Sequence, residues 1–294
     1  MLLCGGHAAD GTNRVWNTLW SVPTVLSIAN FNMHCGIDGW GRPYDYVASI
    51  TSLGTDVIVL EEAWTPEGDT GGQAGEVAAR LDFQLVSHEM GVGRRIQPQP
   101  DADDSWMPRP VIAERSRPLY FDGVRPLKAE ILESARWRDG QPGRVGLAVL
   151  VRPNLAVQAT RVLPMSLLRG DRVRRAALVV DLVVEGRPIS VAGTHMLHLH
   201  RGSHRNWAEL RRALRTDAQG DAVLAGDMNT WGPLVHLFLP GWRRAVVGAT
   251  WPTWRPHSQI DHILVRGALR ATSGEVLPHA GSDHRPVRAT VALG

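Results

Sequence analysis

Residues 24–31 read TVLSIANF, and this short apolar run followed by polar residues predicts a buried strand that ends in a loop. Residues 44–53 (YDYVASITSL) carry apolar side chains at helical spacing, and a glycine follows them as a stop signal. Residues 56–60 (DVIVL) form a second apolar run, which ends in Glu61 and Glu62. The three segments predict a strand–helix–strand unit with two carboxylates at the end of its second strand, as is typical of the α/β class.

The rest of the chain continues this alternation of strands and helices. Further strands are predicted at residues 144–152, 222–225, 259–265 and 286–292, a hairpin at residues 175–184 and 187–195, and helices at residues 75–81 and 205–215. No internal repeat or linker is evident in the sequence. We therefore expect one domain over residues 21–294, preceded by a loosely ordered tail over residues 1–20.

The composition is that of a globular protein, with 44% hydrophobic and 21% charged residues in a chain of 294. No apolar run reaches the roughly 18 residues of a membrane span, and the N-terminus lacks the features of a secretory signal. Two cysteines do not indicate a disulfide framework. We expect a cytoplasmic, monomeric protein without a membrane span.

The formal net charge is +3, and the cations are almost all arginine, since Lys128 is the only lysine. Arginine binds phosphate through two parallel hydrogen bonds, but an arginine bias can equally reflect the base composition of a genome. The charge therefore permits a phosphorylated or nucleic-acid substrate without demanding one.

Five polar clusters lie where apolar strands begin or end, which is where ligand sites form in open α/β sheets. They are residues 30–34 (NFNMH), Glu61 with Glu62, residues 193–195 (GTH), residues 226–229 (GDMN) and residues 281–284 (GSDH). Each cluster alone has an ordinary structural explanation, such as a solvated loop or a structural histidine. Their occurrence together, each near a strand end, is far more specific.

Three of these clusters suggest distinct chemistry. In an extended chain, Asp227 and Asn229 would project to the same side, where a carboxylate and an amide can hold a water and a phosphoryl oxygen. The alternative for this segment is an Asx turn that caps a helix. Glu62 offers the hard oxygen that Mg²⁺ or Mn²⁺ prefers, and Asp261 could reach His284 to orient its ring.

Two other features have competing explanations. The dense histidines His195, His198, His200 and His204 could indicate zinc, but no cysteine or carboxylate lies at a familiar spacing, so a basic loop flanking the substrate is favoured. Trp251 and Trp254 precede the Asp261 segment and could stack on a base, sugar or lipid, or could form a packed loop core. Trp40 and Trp64 also follow strand ends and could line the site.

The clusters together resemble the endonuclease/exonuclease/phosphatase superfamily, whose fold is like that of deoxyribonuclease I. The resemblance is carried by FNMH, VLEEAW, GTHM, LAGDMN, QIDHILV and GSDHRPV, and it spans nearly the whole chain, from Asn32 to His284. It implies an α/β fold built as a two-sheet β-sandwich flanked by helices, in four α/β/β/α layers.

The resemblance also implies a metal site and a cofactor, Mg²⁺ or alternatively Mn²⁺. Glu62 matches the principal metal ligand, Asn32 helps to position metal and phosphate, and Asp283 is similar to a second acidic residue near the metal. The family usually has glutamine where this chain has Glu61. We expect this substitution to add negative charge near the metal and to alter metal number or affinity.

The remaining site residues follow from the same resemblance. His195 and Asn229 match residues that contact the phosphate, and Asp227 matches the aspartate that orients or deprotonates the attacking water. His284 matches a histidine that polarises the phosphate or acts as acid or base, and Asp261 supports it. His195, Asp227, Asn229, Asp261 and His284 are therefore the predicted catalytic residues.

These observations predict a Mg²⁺-dependent phosphoester hydrolase, with a phosphodiesterase or nuclease as the first expectation. The substrate would then be nucleic acid or a small phosphorylated molecule. The alternative is a phosphatase or phosphodiesterase that acts on a small molecule or a phospholipid head group. Nucleases of this family often use a groove lined by arginine and tyrosine, and this chain has only three tyrosines. A non-catalytic binding module is disfavoured because every chemical residue is present.

Overall fold

A computed structural model describes residues 25–95, 119–121, 140–168, 171, 173–217 and 220–294. The predicted tail, residues 1–20, lies outside the described residues. The strands are β1 Val25–Asn32, β2 Val57–Pro66, β3 Gln84–Arg95, β4 Leu119–Phe121, β5 Gln141–Val151, β6 Ala156–Pro164, β7 Ala176–Val184, β8 Arg187–His195, β9 Ala222–Asp227, β10 Arg243–Arg244, β11 Asp261–Arg266, β12 Arg270–Val276 and β13 Val287–Ala292. The α-helices are α1 Tyr46–Thr51, α2 Gly72–Leu81, α3 His204–Asp217 and α4 Val235–Phe238, and short 3-10 helices cover His34–Gly36, Leu199–Arg201 and Gly232–Leu234.

The strands form two mixed sheets. The first sheet has the order β12-β13-β1-β2-β5-β3-β4, and the second has the order β10-β11-β9-β8-β7-β6. In each sheet one central pair is parallel, β1 with β2 and β8 with β9, while the other neighbours run antiparallel. Each parallel pair brings the carboxyl ends of two strands to the same edge of its sheet.

Alternation of side chains along the strands explains the layers. Ile28 of β1, Val59 of β2, Val191 of β8 and Val223 of β9 point between the sheets and share one buried cluster. The opposite face of the first sheet packs against α1 and α2, and that of the second sheet packs against α3 and α4. This arrangement confirms the predicted α/β/β/α sandwich.

The two sheets approach each other closely beneath the predicted site. A Cβ added to Gly193 of β8 would lie only 2.8 Å from Cγ1 of Val59, on the facing sheet. A side chain at this position would meet the opposite layer. A glycine here therefore lets the strand ends of both sheets meet.

Strands at the sheet margins were not predicted. β6 and β12 each lie at an edge of their sheet, and most of their side chains are exposed or half-buried. Because edge strands bury little surface, their sequences lack the apolar runs that mark the central strands. None of the helices in the described part of the chain has the length and apolar character needed to cross a bilayer.

Candidate active site

The site lies where strand ends of the two sheets meet. Asn32 ends β1 beside Glu61 of β2, and His195 ends β8 beside Asp227, the last residue of β9. Asp261 begins β11 and pairs with Asp227 on the other side. The ends of these strands that carry the site residues are buried, and the backbone pairing of the strands fixes the positions of these side chains.

A β-bulge places Glu62. The register between β2 and β5 shifts between Leu60 and Ala63, and Glu62 adopts a left-handed backbone conformation with φ 50°. This conformation is strained for a residue with a side chain, and such strain concentrates at functional sites. As a result Glu62 Oε1 lies 3.4 Å from Nδ2 of Asn32 and 3.9 Å from Nε2 of His195.

Asp227 stands at the centre of the group. Its Oδ2 lies 3.2 Å from Nδ2 of Asn32, 3.3 Å from Nδ2 of Asn229, 3.5 Å from Nε2 of His195 and 3.8 Å from Nε2 of His284. Burial raises the pKa of Asp227 to about 7, while His284 acts in the opposite direction. A carboxyl group poised between its two protonation states and ringed by nitrogen donors can exchange a proton with water.

The segment after Asp227 turns back on itself. The backbone N–H of Asn229 donates to Oδ1 of Asp227 at 2.9 Å, and Asn229 has φ 44°. The two side chains do lie together, but through an Asx-type turn and not through the extended alternation that we expected. Nδ2 of Asn229 also donates to the carbonyl of Met196 at 2.9 Å, which ties this turn to the end of β8.

His284 and Asp261 form a buried pair. Nδ1 of His284 lies 3.1 and 3.0 Å from the two carboxylate oxygens of Asp261, so the other ring nitrogen is directed at Asp227. Burial by itself would lower the pKa of His284, but Asp261, Asp283 and Asp227 together raise it well above its ordinary value. The ring is therefore held in its protonated form and can donate from Nε2 into the site.

His195 has the opposite electrostatic setting. Burial lowers its pKa well below the ordinary value, and the neighbouring charges of Arg175 and His284 act in the same direction. Its Nδ1 is buried and has no hydrogen-bond partner among the described residues, while Nε2 faces Glu62 and Asp227. The site thus combines a neutral and a protonated imidazole.

Asp283 lies on the other side of His284, with its Oδ1 3.9 Å from the Nε2 atom. The indole N–H of Trp251 donates to its Oδ2 at 3.3 Å, and Nδ1 of His34 lies 3.6 Å from its Oδ1. Burial tends to raise the pKa of Asp283, but His34 and His284 hold it below the usual value. The sequence did not predict that Trp251 and His34 support this carboxylate, although it indicated that both lie near strand ends of the site.

Asn32 presents its nitrogen to the site. Its Oδ1 accepts the backbone N–H of His34 at 2.9 Å, which directs Nδ2 toward Glu62 and Asp227. In this arrangement the amide oxygen faces His34 and not the carboxylate cluster. Asn32 therefore bridges two carboxylates as a donor.

Glu61 points between the sheets. It is fully buried, and neither of its carboxylate oxygens has a hydrogen-bond partner among the described residues. Burial raises its pKa well above the usual value, and Asp261 and Asp227 act in the same direction. The protein interior therefore favours the neutral form of Glu61, which limits the extra negative charge that we expected near the metal.

One cluster of carboxylate and histidine atoms, with a further carboxylate beside it, could face a cation. Within the described ranges, Asp227, Asp261 and His284 each present one ligand atom, and these atoms lie within 4.8 Å of one another. The predicted ligand Glu62 is adjacent and partly exposed, so a hard cation can reach its oxygens. The carboxylates among these donors fit Mg²⁺ or Mn²⁺, whereas the protonated ring of His284 would not serve as a ligand.

Three tryptophans and the histidine run differ from the simplest expectations. Trp64 is buried in the core with its indole N–H on Gln141, so it does not line the site. Trp40 and Trp254 contact each other edge-to-face with ring centroids 5.0 Å apart. The N–H of Thr253, the residue before Trp254, donates to the carbonyl of Asp283. No cluster of potential metal ligands includes His198 or His204 among the described residues.

His262 is a buried residue next to Asp261, and its titration should make the stability of the protein depend on pH. Its Nε2 lies 2.9 Å from the carbonyl of Thr230, so this nitrogen carries the proton, and burial lowers the pKa of His262 from 6.5 to about 4. The neutral ring contributes stability that is fully present above the unfolded-state pKa and is lost as the pH falls toward 4.

Between about pH 7 and pH 5, we expect the free energy of unfolding of the wild type to fall by about 2 kcal/mol more than that of His262→Gln. Urea denaturation of both proteins at the two pH values measures this difference. Parallel pH profiles for the two proteins would contradict the assignment of His262.

Comparison with solved structures supports the fold. The chain is similar to an endonuclease/exonuclease/phosphatase from Beutenbergia cavernae, with 20% identity and a TM-score of 0.59 over 92% of this chain and 72% of that chain. The human Nocturnin catalytic domain, solved with bound sulfate, matches with 15% identity and a TM-score of 0.61 over 92% and 94% of the two chains. TDP2 from Caenorhabditis elegans matches with 12% identity and a TM-score of 0.53 over 92% and 98%.

At these identities, the solved structures establish the shared fold. None of the curated proteins matches the sequence. The model of the Endonuclease/Exonuclease/phosphatase family, however, matches residues 16–284, which is most of the chain and includes every strand end of the site. The chain therefore belongs to the Endonuclease/Exonuclease/phosphatase family, whose members hydrolyse phosphoesters.

Proposed function

We propose that this protein hydrolyses phosphodiester bonds with the aid of a divalent cation, Mg²⁺ or Mn²⁺. The observation that carries the proposal is the position of Asp227, a buried carboxyl group within 3.8 Å of nitrogen atoms from Asn32, Asn229, His195 and His284. Such a group can direct a water molecule while the surrounding donors meet the negative charge of a phosphoryl group.

The proposed reaction assigns one job to each side chain. Asp227 accepts a proton from water as the water oxygen bonds to phosphorus. The bond from phosphorus to the leaving oxygen breaks, and the protonated ring of His284 supplies the proton that the leaving oxygen needs. His195 donates to a phosphoryl oxygen as its charge increases. Asp261 holds His284, and Asn229 holds Asp227 in its turn.

Glu62 would hold the cation, and Asp283, whose Oδ1 lies 3.9 Å from Nε2 of His284, would add a second carboxylate to the site. When bound, the cation would supply Lewis-acid stabilisation of the phosphoryl oxygens. Asn32 keeps the carboxylate of Glu62 turned toward the site through its 3.4 Å contact.

We expect Glu62→Gln to weaken Mn²⁺ binding by at least about tenfold, because one charged oxygen ligand becomes a neutral amide. Isothermal titration of the metal-free protein measures this affinity directly, without reference to turnover. Glu67→Gln, a change of the same chemistry at an exposed position, is the matched control.

Removal of metal with a chelator should abolish hydrolysis of a soluble chromogenic phosphodiester, and added Mg²⁺ or Mn²⁺ should restore it. Hydrolysis that continues after full metal removal would contradict the proposed mechanism. Equal Mn²⁺ affinities for Glu62→Gln and the wild type would show instead that Glu62 is not a ligand.

Nucleic acid is the first substrate suggested by the sequence, but the tyrosines give it little support. The hydroxyl of Tyr44 donates to the carbonyl of Met33 at 2.8 Å, and that of Tyr46 bonds to Glu76. Both phenols are thus engaged within the protein and do not present donors to a phosphate backbone. A phospholipid head group is the second candidate, and the surface beside the site favours it.

A further inference from the structure

An exposed apolar ridge stands immediately beside the site. It consists of Trp231, Leu234 and Leu237, with 66%, 38% and 73% of their surfaces exposed. Leu234 and Leu237 are three residues apart in consecutive helical turns, which places them next to each other, and Trp231 is the extended N-cap residue that precedes these turns. Contiguous exposed apolar side chains of this size mark a contact surface.

The ridge has a rigid base. Val235 and Leu239 are buried in the core beneath the second sheet, and Phe238 stacks on the ring of Trp207 with centroids 5.3 Å apart. The indole of Trp207 donates to the hydroxyl of Thr230, the residue before the ridge, at 3.3 Å. The exposed side chains are therefore held outward by packing, and they are not part of a loose loop.

The ridge is also fixed relative to the reacting groups. Trp231 follows Asn229 by two residues, and the N–H of Gly232 donates to the carbonyl of Gln259 at 3.1 Å, just before Asp261. A partner surface that contacts the ridge would therefore place its polar groups next to Asp227 and Asp261.

The chain segment that carries the ridge is basic. Residues 228–260 contain three arginines and no aspartate or glutamate. The guanidinium of Arg244 approaches the ridge, since a Cβ added to Gly232 would lie 3.8 Å from its Nη1. His236, within α4, is also exposed. An apolar ridge within a basic surface is complementary to an interface that is apolar inside and anionic at its phosphates.

We propose that the ridge inserts into a phospholipid surface and presents the phosphodiester of a lipid head group to the active site. This inference rests on the proposed function, because it names the substrate class of the same site. Tryptophan favours the boundary between head groups and acyl chains, and the two leucines gain free energy by leaving water. Leucine offers neither hydrogen bonds nor a stacking surface to a nucleic acid, so an oligonucleotide fits the ridge poorly.

The test measures binding to vesicles apart from hydrolysis. Sedimentation with vesicles of phosphatidylcholine and phosphatidylglycerol, in the presence of a chelator, gives the partition coefficient of the full chain. We expect the wild type to bind, and Trp231→Ala and Leu237→Asp each to bind at least about tenfold more weakly. Val162→Asp is the matched control. Val162 is an exposed apolar residue on β6, at the edge of the second sheet opposite β10, the strand that follows the ridge, so this variant should bind like the wild type.

Absence of wild-type binding, or equal binding by the ridge variants, would overturn the proposal. It would also be overturned if the ridge variants lost affinity for a single-stranded oligonucleotide and kept their affinity for vesicles. Circular dichroism and thermal unfolding of each variant separate loss of the ridge from loss of the fold. Hydrolysis of a soluble phosphodiester by the wild type tests the proposed function independently, so failure of one idea is distinguishable from failure of the other.

Discussion

Replacement of Asp227 by asparagine will lower kcat for a soluble phosphodiester by about 10²- to 10⁴-fold. Asparagine keeps the shape of the side chain and can still accept the N–H of Asn229, but it cannot take a proton from water. The change also removes a carboxyl group that lies near two other buried carboxyl groups, Glu61 and Asp261. We therefore expect the free energy of unfolding to stay equal to that of the wild type or to rise.

The matched control is Asp82→Asn, at the exposed left-handed residue that ends α2. Asparagine tolerates this conformation, so the control should keep both activity and stability. Steady-state kinetics with saturating Mg²⁺, together with urea denaturation, measures both quantities for each protein. Turnover by Asp227→Asn within a few-fold of the wild type would remove Asp227 from the proposed reaction.

The second large effect concerns His284. For a phosphodiester with an alkoxide leaving group, His284→Ala should lower kcat by about 10²- to 10⁴-fold, because the leaving oxygen loses its proton donor. Asp261→Asn should also lower kcat, because Asp261 contacts Nδ1 of His284 at 3.0 Å and keeps the ring protonated. If Asp261 acts through His284, Asp261→Asn will have no further effect once His284 is alanine.

Kinetics of the two single variants and the double variant give this coupling. Additive losses in the double variant would show that Asp261 acts on its own. A leaving group of low pKa needs no proton, so a nitrophenyl ester should restore much of the activity of His284→Ala. This restoration distinguishes a proton donor from a residue that only supports the fold.

Much of the site follows from chemistry that is local in the sequence. The central strands are continuous apolar runs, and the polar residues that end them, such as Asn32, His195 and Asp227, were expected near one another because strand ends meet at a sheet edge. The two-sheet sandwich came from resemblance to a family and not from periodicity. The order of the strands along the chain does not by itself specify which strands pair.

Other features depend on backbone geometry that the sequence does not display. Glu62 faces the site because of a bulge, and Asn229 turns back with a left-handed backbone, although neither residue is glycine. The inward direction of Glu61 follows from strand register, which shifts with a single residue. Support for Asp283 by Trp251 joins segments 32 residues apart, a contact that only the folded chain provides.

The narrow gap at Gly193 links the architecture to the reaction. Asn32 and Glu62 belong to one sheet, and His195, Asp227 and Asp261 belong to the other, so both sheets contribute side chains to the site. The distance between Glu62, the proposed cation ligand, and Asp227, the proposed water-directing carboxylate, is therefore set by how closely the two sheets pack at this edge. A chain in which only one sheet had formed would position only part of the site and could not catalyse the reaction. Turnover therefore reports directly whether the two sheets have packed together.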